Sequence, residues 1–205
     1  MFEHDIVEAG LMTADTVIKF SDSVTVGKRT EVSVPTGFVG IVLINNEPTR
    51  ARLEPCSCTR LSEVSRDYLG KECRIAFLRS GVLEPIRWGV GNILATDKDM
   101  LVCKIGCNGF LELSVTGIAD LLCASGFNTT VTTAEIKALI RGSLSEAVSA
   151  ALAGLLSKYS VSELSLCRNE LSSAIGDRLT ASGRLVALGL TLSSVTVAGI
   201  TDPIY

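Results

Sequence analysis

A chain of 205 residues, 47% apolar and only 20% charged, can bury a real core as one ordinary domain or a small pair. Its 19 basic and 22 acidic residues give a net charge of -3, and only 5% of residues are aromatic, which argues against the basic, ring-bearing face of a nucleic-acid binder. The mean hydropathy of +0.40 fits a well-buried α+β domain or apolar surface covered by another subunit.

The opening Met1-Phe2-Glu3-His4-Asp5 has neither a basic n-region nor an apolar h-region, so no secretory signal is expected. No apolar run is read as long enough to span a membrane. The expected compartment is the cytoplasm, with peripheral attachment to a membrane through partners or a short amphipathic surface left open. Residues 6–12 are read as a helical turn, and 17–20 as a first edge strand. Val24 and Val26 lead to a Gly27-Lys28 turn, and residues 31–34 alternate with period two up to Pro35. The nearly all-apolar stretch 38–44 is expected to be a strand covered on both faces. Asn45-Asn46-Glu47-Pro48 then turns the chain back through 49–53.

Residues 61–68 are ambiguous, whereas 73–78 and 84–90 read as strands, the second with Pro85 at its start, where a missing N–H is tolerated. The densest basic set, Arg60, Arg66, Lys71 and Arg74, is interrupted by Glu63, Asp67 and Glu72. Asp97-Lys98-Asp99 is a tight turn into the longest strand, 100–115, where Gly106 and Gly109 mark a bulge or bend. Trp88 is expected to pack against the helices, and residues 117–122 to form a short helix or turn. Thr132 and Glu135 form a capping box for a helix to about Lys158, and Ser160 and Glu163 form a second. Leu164, Cys167, Leu171, Ala174, Ile175 and Leu179 give the second helix its apolar stripe, which stops near Gly183. The first helix is rich in Gly, Ala and Ser, which suits either tight internal packing or contact between subunits. A last strand over 185–197 changes apolar register after Ser193-Ser194, which implies a bulge there, and Ile200-Thr201-Asp202-Pro203 closes the domain.

Seven cysteines, an odd number, suit a reducing compartment. Cys56-x-Cys58 and Cys103-x3-Cys107 could supply four zinc thiolates, but neither has the usual Cys-x2-Cys spacing, and small buried hydrophobes are the plainer reading. Cys167 is expected in the core. Phosphate-loop, dinucleotide and His-Glu metal motifs are lacking, and the single histidine, His4, lies near a terminus. Asp97 and Asp99 could bind a hard cation weakly, against the plainer reading of a solvated turn. No catalytic, cofactor-binding or metal-ligating residue is assigned, no cofactor is expected, and the chain is not expected to be an enzyme.

The order of parts resembles the stomatin–prohibitin–flotillin (SPFH, band seven) superfamily, and is most similar to its soluble bacterial virion-core-protein-like branch. The resemblance is carried by Val17-Ile18-Lys19-Phe20, by the passage from Val26-Gly27 to Pro35-Thr36-Gly37 and the run ending in Asn45-Asn46, and by Ile86-Arg87-Trp88-Gly89. It continues through Gly109-Phe110-Leu111-Glu112-Leu113, Ile118-Ala119-Asp120-Leu121-Leu122, both helices and the strand from Gly189-Leu190 to Pro203. It implies an N-terminal segment, 1–16, and an SPFH-like domain, 17–205. The implied fold is α+β, with a curved, mostly antiparallel sheet packed by two main helices. It also implies self-association into rings or cages that organise membrane microdomains or hold partner proteins. Against the family pattern, no N-terminal membrane hairpin and no long coiled coil after Pro203 are expected, and Leu53-Glu54-Pro55-Cys56 stands where relatives carry a Pro-Gly turn.

The expected function is therefore a non-enzymatic, self-associating scaffold, with no nucleic-acid partner and no direct membrane span. Its contact surfaces are expected at an exposed edge around 17–34 and at the small-residue helix 133–158. A monomeric partner-binding adaptor and a small-molecule or metal-dependent module are the alternatives.

Overall fold

The computed structural model describes residues 6–55, 58–126 and 130–201; His4, Cys56 and the closing Asp202-Pro203 lie outside them. The chain is mixed α+β and its sheets are mostly antiparallel. In chain order come β1 (Ile6–Glu8), β2 (Thr16–Phe20), β3 (Val24–Thr25), β4 (Glu31–Ser33), β5 (Phe38–Ile44), β6 (Glu47–Leu53) and β7 (Cys58–Arg60). The short helix α1 (Leu61–Val64) and a 3-10 turn (Arg66–Tyr68) precede β8 (Glu72–Arg79), the long pair β9 (Ile86–Thr96) and β10 (Val102–Val115), and α2 (Ile118–Ser125). Then follow β11 (Thr130–Thr132), α3 (Thr133–Leu156), a 3-10 segment (Val161–Leu166), α4 (Arg168–Ala181), α5 (Arg184–Ala187) and β12 (Leu190–Ile200). The chain divides into two compact units, each assembled from two stretches: Met1–Leu83 with Ile118–Thr133, and Glu84–Gly117 with Ala134–Tyr205.

In the first unit the larger sheet runs β11-β2-β8-β5-β6, and β3 continues the path of β2 along the same side of β8. Ser21 fills the gap between them: its N–H donates to Ile75 O at 2.9 Å and its Oγ accepts from Ile75 N at 3.0 Å. β5 is buried on both faces, as its unbroken apolar run requires. A small sheet, β1-β4-β7, lies beside a core of Val7, Val32, Val34, Phe38, Leu61 and Phe77.

Two expectations change here. Residues 6–8 form a strand, not a helical turn, because β1 pairs parallel to β4 and alternation puts only Val7 inside. β2 is not an edge, because β11 covers its other side. β4 is likewise flanked by β1 and β7, so within 17–34 only the two-residue β3 pairs on one side alone among the described residues. The expected contact edge at 17–34 is therefore occupied by the fold itself.

In the second unit β10 lies between β9 and β12 and pairs antiparallel with both. Three register breaks bend this sheet. Opposite Gly106, β9 carries the extra residue, since Ile105 pairs with Ile93 but Cys107 with Val90. Asn92 takes φ 58 there, and a Cβ on Gly106 would lie 2.7 Å from Val90 O. Opposite Gly109 the surplus residue is Ala198, and opposite Leu113 it is Ser193, at the place the apolar register implied. Trp88, buried, lies across from Gly109, with Cζ2 3.0 Å from where a Cβ would stand.

α4 packs along β12, with Leu171, Ile175 and Leu179 inside and Ser172 Oγ accepting from Val197 N at 3.0 Å. The second capping box forms, but it starts the 3-10 segment rather than α4. Cys167 falls at the junction of the two and is half-buried, not core. The last strand begins at Leu190 rather than 185, because Gly183 and Gly189, at φ 65 and 68, bracket the extra turn α5. α3 also corrects the reading that no segment is of spanning length. Its 24 residues are long and apolar enough to cross a membrane by length and composition, although 44% of its most apolar window is buried and core helices meet the same criterion.

The glycines separate by what surrounds them. A Cβ on Gly109 would meet Thr196 O at 1.8 Å, whereas one on Gly142, inside α3, would meet nothing within 4 Å. Gly109→Ala should destabilise by about 1–3 kcal/mol through overpacking. Gly142→Ala should stabilise by about 0.5–1 kcal/mol through helix propensity. Urea unfolding of the two variants measures both.

Candidate interaction surfaces

The buried thiols offer little chemistry. Burial pushes Cys107 up to about 12 and Cys73 up to about 11; burial and the nearby Asp97 charge raise Cys103. Protonated, enclosed thiols are weak nucleophiles and weak metal ligands. Cys58 is in the first unit and Cys103 and Cys107 are in the second, while Cys56 is outside the described residues. Among the described residues no three His, Cys, Asp or Glu side chains gather where they could hold a metal ion.

The first unit has a polar cleft of about 480 Å³ lined by Asp22, Ser23, Asn45, Asn46, Glu72 and Arg74. Arg74 and the two asparagines have roles in the fold itself. Arg74 lies 5.0 Å from the Phe20 ring centroid and donates from Nε to Ser21 O, and Asn45 and Asn46 supply the two positive φ angles of the β5–β6 turn.

The end of the β9–β10 hairpin is built differently. Asp97 is not solvated: it is only 4% exposed. Its Oδ1 accepts from Asp99 N and Leu101 N, each at 3.0 Å, and its Oδ2 accepts from Val161 N at 3.2 Å. Burial works against the charge, but donors from Leu101, Val161 and Asp99, with Lys98 nearby, outweigh it and hold the carboxyl below its ordinary value. One residue on, Lys98 Nζ lies 2.7 Å from Glu163 Oε2, which also accepts from Ser160 N and Oγ. The hairpin end is thus tied twice to the start of the 3-10 segment.

That tethered end is apolar outside. Leu94 is 68% exposed, Met100 80%, Leu101 50% and Val102 56%. Val102 pairs with Thr96 and Lys104 with Leu94, so Leu94 and Val102 share the outer face while Cys103 and Ile105 turn inward. Met100 takes φ 61, a left-handed conformation costly for a bulky side chain, and its N–H donates to Asp97 O at 3.0 Å. Beside it, the outer side of β9 is unpaired among the described residues.

A second surface lies between α3 and α4, a groove of about 310 Å³ lined by Ser143, Glu146, Ala147 and Ala150 on one wall and Arg178, Ala181 and Ser182 on the other. Three of the small residues of α3, Ser143, Ala147 and Ala150, sit here, with Ala150 half-buried. The apolar hairpin end was not singled out in the sequence. Its signal is three apolar residues in a row, Met100-Leu101-Val102, after a charged turn, because alternation can bury only every second one.

No protein-family model matches this chain, and no curated protein matches it.

The ion pair and capping box predict an acid response. They hold Glu163 down from 4.5 to about 2, chiefly through the Lys98 hydrogen bond and then those from Ser160. A carboxylate depressed by folding stabilises fully above its unfolded value and loses that contribution as pH falls through its folded value. Stability should therefore decline from about pH 5 toward pH 2, and Glu163→Gln should flatten that decline. Urea midpoints taken across the range check it.

Proposed function

We propose that this chain is a non-enzymatic scaffold of SPFH type that associates with itself and holds partner proteins, working in the cytoplasm or at a membrane through those partners. The observation that carries the reading is the β9–β10 hairpin end. Four large apolar side chains stand exposed on a frame fixed by Asp97 and Glu163. Met100 keeps an unfavourable backbone conformation that an asparagine or glycine would adopt more easily. Scattered exposed hydrophobes are ordinary on a protein surface, but a cluster on a fixed frame suits burial against another protein. The open side of β9 adds backbone groups that a neighbouring strand can pair.

The SPFH assignment is supported by the order of parts: a strand-rich stretch, then α3 and α4, then the closing strand β12, in a mixed fold with mostly antiparallel sheets. In this reading a curved sheet packed by those two helices is the unit of assembly.

Light scattering over a range of concentrations tests the proposal. The expected result is a mass several times 21.7 kDa. The double variant Met100→Ser with Leu101→Ser should lower that mass and shift stability by less than about 0.5 kcal/mol, because both side chains are exposed. A single 21.7 kDa species at every concentration would overturn self-association. The same hairpin end would then serve a monomeric adaptor.

A further inference from the structure

We infer that the groove between α3 and α4 seats a second copy of this chain, with the two α3 helices crossing antiparallel about a twofold axis at Ala150. This deepens the self-association reading and rests on it, but uses a surface separate from the hairpin end.

The first argument is burial. α3 is the most membrane-like helix of the chain in composition, yet less than half of its most apolar window is covered. From Gly142 to Gly154 its single charged residue is Glu146, and the other uncovered positions are Gly, Ala and Ser. A solvated helix face normally carries charge on most turns.

The second argument is charge. Glu146 and Arg178 line opposite walls of the groove, both exposed, and neither makes an ion pair among the described residues. The Arg178 guanidinium reaches Gly154, 3.8 Å from where a Cβ would stand. Gly154 lies roughly 12 Å along the helix axis from Glu146, at 1.5 Å per residue. The acid and the base are therefore set about two helical turns apart along α3.

The third argument is symmetry. A twofold axis at Ala150 exchanges positions 146 and 154. It places Glu146 of the second copy beside Gly154, where Arg178 waits, and the converse pair forms by the same operation. Ala147, Ala150 and Gly154 present little side chain at the crossing, so the two helix axes can come close. A patch that carries its own complement across a twofold axis is what an isologous dimer needs.

Charge reversal on the full chain tests the pairing. Glu146→Arg alone and Arg178→Glu alone should each raise the dimer dissociation constant by at least about tenfold, by setting like charges against each other. The double variant, Glu146→Arg with Arg178→Glu, should return it close to the wild-type value. Thermal midpoints matching the wild type show that the variants fold. If the wild type associates, the hairpin double variant lowers its mass, and the reversals change nothing, this inference fails and the self-association reading stands. A wild type that is monomeric throughout removes both. If the reversals have no effect and the wild type floats with anionic phospholipid vesicles, the α3 face belongs to a lipid surface and the inference is overturned.

Discussion

A buried carboxylate organises the second unit. Removing Asp97 from water would ordinarily favour its neutral form, yet three backbone N–H groups converge on it and the charge is retained. Two of those donors belong to the turn between β9 and β10, and the third opens the 3-10 segment ahead of α4. One side chain therefore closes a loop and joins it to a helical element distant in the chain. The turn has no freedom to fold its apolar residues inward, and Met100, Leu101 and Val102 are displayed as a consequence.

The sheet beneath that loop is shaped by missing side chains. β10 is paired on both sides from Cys107 to Leu111 and cannot relax sideways there. Where β9 or β12 carries one residue more than its partner, the surplus is absorbed at Gly106 and Gly109, whose lack of a Cβ lets a neighbouring backbone come within van der Waals range. The Thr201 hydroxyl, accepting from Gly106 N at 2.7 Å, and the Thr201 N–H, donating to Gly106 O at 2.8 Å, satisfy the Gly106 peptide groups on the β12 side.

Much of this was legible in the sequence, for reasons tied to period and length. β5 is an unbroken apolar run and α4 repeats its large residues at helical spacing. The bulge at Ser193 shows in the switch from Leu188, Leu190 and Leu192 to Val195 and Val197. Short elements were illegible. β11 is three residues long and overlaps the capping signal of α3, so Thr132 read as a cap and the cover over β2 went unseen. Leu185 and Leu188 are buried in either secondary structure, and only the two left-handed glycines separate a helical turn from a strand. At the candidate surfaces the small residues of α3 were visible by composition. The burial of Asp97 was not, because its donor at Val161 depends on tertiary folding.

The pairing of Thr130 with Lys19 has a consequence for synthesis. Translation makes β2 long before β11, so a ribosome-bound chain carries one flank of β2 unpaired until residues beyond 132 have emerged from the exit tunnel. An unpaired strand on a nascent chain can be captured by a neighbouring chain on the same messenger. The first unit therefore completes itself late, with β2 open on one flank in the interval between those two strands.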